Sequence, residues 1–212
     1  MSETPDAPVR TKPADRRDAL IASARRHFVE KGFEATSLDD LIADTGGSRR
    51  NIYELFGGKE GVLGAVFEQI ISEIAETADL PVEADMNPRD WLIGVGTAFV
   101  RQMLDPEIIA VFRQFIANGA QSKNEAERLW QSGPERFRRT LAAWLTEQQD
   151  AGLLDIGDPD FAATMLPEMF RGSLQIEMLI GRRRLVSQDE VRQQVERATD
   201  LFLKGCEPNT TR

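Results

Sequence analysis

Two eight-residue segments with apolar residues at helical spacing, each closed by a glycine doublet, constrain this 212-residue chain more than any other feature. The first, Leu38–Thr45, carries Leu38, Leu41 and Ile42 and stops at Gly46-Gly47. The second, Arg49–Phe56, carries Ile52, Tyr53, Leu55 and Phe56 and stops at Gly57-Gly58. Thr36-x-x-Asp39 and Ser37-x-x-Asp40 both resemble capping boxes ahead of the first segment, and Ser48 caps the second. Two short helices joined by a glycine turn read as a helix-turn-helix. In such a unit the second helix enters the major groove with its N-terminal residues toward base edges. Those residues here are Arg49, Arg50 and Asn51. Arg pairs with guanine O6 and N7, and Asn with adenine N6 and N7. The alternative is a solvated face, although cations at a helix start oppose the helix dipole.

The rest of the chain predicts an all-α protein, because helical periodicity recurs and strand alternation is nearly absent. A first helix is expected over Ala14–Lys31, stopped at Gly32, and a fourth from Lys59 to about Ala78. After a break at Leu80–Pro88, further helices are expected over Pro88–Leu104, Pro106–Asn118, Glu125–Ala151 (interrupted at Gly133-Pro134), Asp158–Ile180 and Ser187–Leu203. Asp158 serves as an N-cap with Pro159 at the first helical position.

Several chemistries are absent. A lone cysteine, Cys206, excludes an internal disulfide and points to a reducing, cytoplasmic setting. One Cys and one His make a zinc site improbable, and His27, near Arg25 and Arg26, is expected at the surface. Gly94-Val95-Gly96 lies in a helix and lacks the third glycine of a dinucleotide loop, and Asp155, Asp158 and Asp160 lack the remainder of a calcium loop. No cofactor, metal, catalytic constellation or membrane span is expected. Residues 1–13 are polar with three prolines and are expected to form a disordered arm, not a secretory signal. The net charge of −9 opposes nucleic-acid binding at first sight. It is segregated, however: residues 10–59 carry 10 Lys+Arg against 8 Asp+Glu, so the acidity lies elsewhere in the chain.

Residues 17–67 resemble the DNA-binding domain of the TetR family of transcriptional regulators. The matching pieces are Phe28 with Gly32-Phe33, Ala35-Thr36-Ser37, Leu41-Ile42-Ala43, Gly46, Ser48, Ile52-Tyr53, Phe56 and Lys59-Glu60. The stretch Leu104–Gly181 is similar to the AefR-like type of C-terminal body found in some members, through LDPEIIAVFRQFI, GPERFRRTLAAWL and MFRGSLQIEMLIG. The resemblance implies a three-helix head (14–58), a linking helix (59–78), a ligand-binding and dimerisation body (79–205) and a short tail (206–212). It also implies Arg49, Arg50, Asn51 and Tyr53 as base- or groove-contacting residues, and Thr36, Ser37, Tyr53 and Lys59 as phosphate contacts. The expected partners are a double-stranded DNA operator, a small-molecule effector and a second copy of the chain. Three positions depart from the family pattern: Gly47 where Val is frequent, Leu55 where His is frequent, and Gly58 where Ser or Asn is common.

In the body, Trp91, Phe99, Met103, Phe112, Phe115, Trp130, Trp144 and Met169 are the large apolar side chains expected to enclose a ligand. Arg101, Arg113, Glu168 and Glu177 are candidates to orient its polar end. The segment Asp158–Ile180 has two apolar stripes, one through Phe161, Met165, Met169, Gly172, Ile176 and Ile180, the other through Leu166, Phe170, Leu174 and Met178. A helix apolar on both sides buries both. The expected dimer face comprises Phe170, Leu174 and Met178 with Val191, Val195 and Phe202 of the last helix. These features predict a homodimeric, ligand-released repressor and not an enzyme. A helix-turn-helix protein acting through protein partners, or a helical ligand-binding protein without an operator, are the alternatives.

Overall fold

Periodic apolar positions bounded by caps and glycines produce helices throughout the computed structural model, which describes residues 13–79, 86–118 and 123–206. Most of the expected arm and tail therefore lies outside the described residues. Eleven α-helices and no strand occur among those residues: α1 Pro13–Glu30, α2 Leu38–Thr45, α3 Arg49–Phe56, α4 Lys59–Ala75, α5 Pro88–Met103, α6 Pro106–Asn118, α7 Lys123–Ser132, α8 Pro134–Asp150, α9 Pro159–Arg171, α10 Leu174–Leu179 and α11 Gln188–Lys204. A 3₁₀ turn, Glu76–Asp79, follows α4. The chain divides into two compact units at Val66/Phe67, within α4.

The N-terminal unit is built on Leu20, Ala24 and Phe28 of α1, which pack with Phe33, Leu41 of α2, Ile52 of α3 and Val62 and Leu63 of α4. Phe28 and Phe33 meet with ring centroids 5.4 Å apart. Each of these side chains is almost fully buried, and a buried side chain of this size contributes about 1.5–3 kcal/mol. Gly61 allows the start of α4 to lie against the end of α3, since a Cβ there would stand 1.7 Å from the Phe56 carbonyl oxygen.

The C-terminal unit packs α5 on α9 and α11, and α8 on α7 and α9. Its core holds Leu92, Val95, Val100, Leu141, Leu145, Leu166, Phe170 and Val195. The expected helix Asp158–Ile180 is in fact two. Gly172 takes a left-handed φ of 49° and ends α9, and Gln194 of α11 donates to the Met169 carbonyl at 3.0 Å. Pro167 lies inside α9, where it removes one helical hydrogen bond. The expected interruption at Gly133-Pro134 separates α7 from α8, and Gly133 abuts Ile71 so closely that a Cβ would meet it at 2.8 Å.

Candidate nucleic-acid interface and ligand cavity

Local chemistry sets the two short helices. Of the two possible capping boxes, Ser37–Asp40 forms. The Ser37 hydroxyl accepts from the Asp40 N–H at 3.2 Å, and the Asp40 carboxylate accepts from the Ser37 N–H at 2.8 Å. That backbone bond, then the Ser37 hydroxyl, holds the Asp40 carboxyl at a pKa of about 2. Ser48 caps α3, accepting from the Asn51 N–H at 3.3 Å. Between the helices Gly46 and Gly47 have φ of 71° and 104°. This left-handed backbone accounts for glycine at position 47, because a β-branched residue there would be strained.

Ser37, Arg49, Arg50 and Tyr53 are exposed, and Asn51 is half-buried. Their partners in the DNA-free chain are specific. The Arg49 guanidinium clasps Asp39 of α2 with two hydrogen bonds, one of 2.8 Å from Nε. The pairing raises the Arg49 pKa and lowers that of Asp39. Arg50 donates from Nε to Glu54 at 2.7 Å, one helical turn on. The Ser48 hydroxyl donates to the side-chain carbonyl of Asn51. The Tyr53 ring is 59% exposed, with one edge toward Gly58.

Two expected phosphate contacts are otherwise engaged. Thr36 is 1% exposed and donates its hydroxyl to the Gly32 carbonyl at 2.8 Å. The Lys59 ammonium donates to the Phe33 and Thr36 carbonyls at 3.0 and 3.1 Å and sits 4.3 Å from the Phe33 ring centroid. Both residues brace the α1–α2 turn, so in the DNA-free chain each polar group is engaged within the protein. The structure also corrects the expectation for His27, which is 9% exposed. Its Nε2 lies 2.9 Å from Asp44 Oδ2, the oxygen that also accepts from Ser23 at 2.7 Å and from Arg26. Asp44 thus ties α2 to α1, and the Ser23 hydroxyl is the main reason its carboxyl pKa lies low.

The C-terminal unit encloses a cavity of about 560 Å³, within the roughly 300–1,000 Å³ of small-molecule pockets. Of the eight expected lining residues, Phe99, Met103, Phe112, Phe115 and Trp130 border it. Trp91 and Trp144 do not: they stack on one another, centroids 3.9 Å apart, as buried core. Met169 is half-buried and absent from the lining. Of the expected polar orienters only Glu168 borders the cavity. Arg113 instead donates from Nε to the Leu179 carbonyl at 2.8 Å, holding the end of α10. Sequence reasoning missed the contribution of α4, through Phe67, Ile71, Ile74 and Ala75, and that of Phe137, Arg138 and Arg171. The signal was present in α4, which carries seven large apolar side chains, too many for one packed face.

The residues expected at the dimer face divide from the other apolar stripe by burial. Phe170, Leu174, Met178, Val191 and Val195 are all buried within the single chain, and Phe202 is half-buried. The other stripe faces outward: Phe161 is 63% exposed, with Met165, Ile176, Ile180 and, on α11, Leu201.

A capped, glycine-turned pair of helices presenting Arg49, Arg50 and Tyr53, in a chain that also carries a helical unit with an apolar cavity, defines a regulator of the helix-turn-helix class. Comparison with known proteins makes this specific. Residues 20–66 match the bacterial regulatory proteins of the tetR family, and residues 90–205 match the C-terminal domain of AefR-like transcriptional repressors. The chain belongs to the TetR family, with a C-terminal domain of the AefR-like type. It is 41% identical over 59 residues to the HTH-type transcriptional repressor ComR of Escherichia coli K12, covering 28% of each chain. It is 36% identical over 66 residues to the repressor AcnR of Corynebacterium efficiens, covering 31% of this chain and 35% of that one. The matches to these curated relatives thus span about a third of their length. Among solved structures it is similar to a TetR-family regulator of Mesorhizobium loti (TM-score 0.80, 24% identity, 92% of this chain and 98% of the other). It is also similar to the flavonoid-responsive regulator FrrA (TM-score 0.71, 26% identity, 93% and 100%). No helix among the described residues is long and apolar enough to cross a membrane.

Proposed function

We propose that the chain is a homodimeric repressor, released from a palindromic operator when a small apolar or amphipathic molecule enters the cavity. The observation that carries this reading is α4. It begins at Lys59, directly after the recognition helix α3, and its later residues Phe67, Ile71 and Ile74 form cavity wall. A ligand that favours a different placement of α4 favours a different spacing of the two recognition helices. Half-sites lie about 34–36 Å apart, or a multiple of this, so a small change in spacing lowers affinity. A coupling of about 1–3 kcal/mol lowers operator affinity roughly 5–150-fold. Arg49, Arg50, Asn51 and Tyr53 are the proposed base- or groove-contacting set, with Ser37 at a phosphate. The exposed stripe through Phe161, Met165, Ile176 and Ile180, with Leu201, is the proposed dimer face, because a stripe this apolar is costly to leave in water. FrrA is a flavonoid-responsive regulator, which is consistent with an effector cavity in a chain of this kind.

The test is a selection of bound sequences from random DNA, followed by mobility shift on the selected operator. A palindrome bound by one dimer is expected. Failure to enrich any sequence would defeat the operator reading, and an effector that fills the cavity without changing operator affinity would defeat the release mechanism.

A further inference from the structure

The cavity wall has an uneven chemistry. Its aromatic side chains come from five helices: Phe67, Phe99, Phe112, Phe115, Trp130 and Phe137. The five phenylalanines are already in ring-to-ring contact: Phe67 stacks on Phe115 with centroids 4.0 Å apart and meets Phe112 edge-on at 4.8 Å, and Phe99 meets Phe137 at 4.6 Å. Among the described residues, charged side chains border the cavity only from α8 and α9, as Arg138, Glu168 and Arg171. Every one of them is bonded within the chain. Arg138 donates to Glu135 through Nε and Nη2, at 2.9 and 2.8 Å, and to Asp160 through Nη1. Arg171 donates to Glu168 and, at 2.8 Å, to Gln175. Arg139 lies 3.8 Å from Glu135 as well. The cluster therefore balances: Arg138, Arg139 and Arg171 face Glu135, Asp160 and Glu168. The Thr164 hydroxyl, also on the border, donates to the Asp160 carbonyl at 3.0 Å.

We propose that the cavity takes an uncharged molecule of two or three aromatic rings, with any polar group limited to a neutral hydroxyl near Thr164. This rests on the reading of the cavity as the effector site. A ligand carboxylate competes with Glu135, Asp160 and Glu168 for guanidinium groups already paired, and a ligand ammonium competes with Arg138 and Arg171 for carboxylates already paired, so either charge exchanges hydration for a shared partner. An uncharged ring system loses little on leaving water and gains offset or edge-on contacts with the six rings of the wall. The volume of about 560 Å³ suits such a molecule and exceeds what a single ring fills. Because Phe67, Ile71 and Ile74 belong to α4, the same ring contacts fall on the helix that begins beside the recognition helix.

A matched series tests this by calorimetry on the full chain without DNA, so the outcome does not depend on operator binding. The probes are 6-phenyl-2-naphthol, 6-phenyl-2-naphthoate and a 6-phenyl-2-naphthyl trimethylammonium salt. Trp130, the one tryptophan of three that borders the cavity, gives a fluorescence readout of the same event. The naphthol is expected to bind at least tenfold more tightly than either charged probe. Ala126→Trp, at an exposed position on the cavity border, is expected to abolish naphthol binding without affecting folding. Glu168→Gln releases Arg171 and is expected to raise affinity for the naphthoate relative to the naphthol. Absence of naphthol binding, or a charged probe binding the unaltered chain as tightly as the naphthol, would overturn the proposal. So would naphthol binding that survives Ala126→Trp. A missing operator with the binding order intact would instead defeat only the regulatory reading.

Discussion

Replacing Gly61 by Ala sets two physical effects against each other with opposite signs. Helix propensity alone makes Ala the better residue in a helix, by at most about 1 kcal/mol, so a chain in which α4 were free of neighbours would become more stable. Gly61, however, faces the Phe56 carbonyl, and the added Cβ would stand 1.7 Å from that oxygen, well inside the 3.0 Å that real contacts essentially never breach. The start of α4 would have to move off the end of α3 by more than 1 Å, the difference between those two distances. The atom in the way is backbone and cannot rotate aside. Overpacking costs about 1–3 kcal/mol and at times more, so with a rigid obstacle the net loss is about 2 kcal/mol. Gly94 of α5 provides the control: it is helical, has nothing within 4 Å of its Cβ position, and should gain stability on becoming Ala. Hydrogen exchange reads the N-terminal unit directly, through the amides of Leu41 and Ile52 in its core. In Gly61→Ala these amides should exchange about thirtyfold faster, and operator binding should fall with them. Slower exchange in Gly61→Ala, with a gain like that of Gly94→Ala, would show that the α3–α4 approach is looser than described and would refute the reasoning.

Other outcomes follow from the pairings in the N-terminal unit. Lys59→Met keeps the stem of the side chain but leaves the Phe33 and Thr36 carbonyls without their charged donor; a loss of about 2 kcal/mol is expected by urea unfolding, whereas a phosphate-contact role alone would leave stability unchanged. Arg49→Ala should weaken specific binding roughly 5–150-fold while changing non-specific binding little. Asp39→Asn, which releases Arg49, should strengthen binding to unrelated DNA by a few-fold at low salt, and unchanged binding would show that the clasp does not compete with DNA. The Asp40 carboxyl has a folded-state pKa lowered to about 2, so its contribution to the α2 cap is fully present above the ordinary value of 3.8 and is lost as pH falls toward 2; carbon NMR titration of that carboxyl should find its midpoint near 2. Phe161→Asp on the exposed stripe should convert dimer to monomer in sedimentation with little change in chain stability, since Phe161 is not part of the core.

Periodicity in this chain identified helices and apolar stripes well, but it could not say which stripe faces inward. The two stripes of α9 and α10 are nearly equal in apolar content, and the helix they share is broken at Gly172 without disturbing either. What decides between them is Gly96 on α5. A Cβ there would stand 2.8 Å from Val195 and 3.0 Å from Phe170, so α5 approaches the Phe170 side and leaves Phe161 and Ile176 outside. The helix holds two glycines, Gly94 with nothing within 4 Å of its Cβ position and Gly96 in close approach, and the sequence alone does not distinguish them. The candidate contact residues divide in a similar way. Arg49, Arg50 and Tyr53 face solvent because their helix buries Ile52, and spacing within eight residues settles that. Thr36 and Lys59 are different. A hydroxyl at a helix start and an ammonium at another suit a phosphate as well as a carbonyl, and the choice depends on how a turn 23 residues away closes over Lys59. Sequence fixes a side chain's chemistry locally, whereas its partner comes from contacts distant along the chain. The same distinction separates Trp91 and Trp144, which stack on one another as buried core, from Phe99 and Phe115, whose ring partners Phe137 and Phe67 share the cavity wall with them.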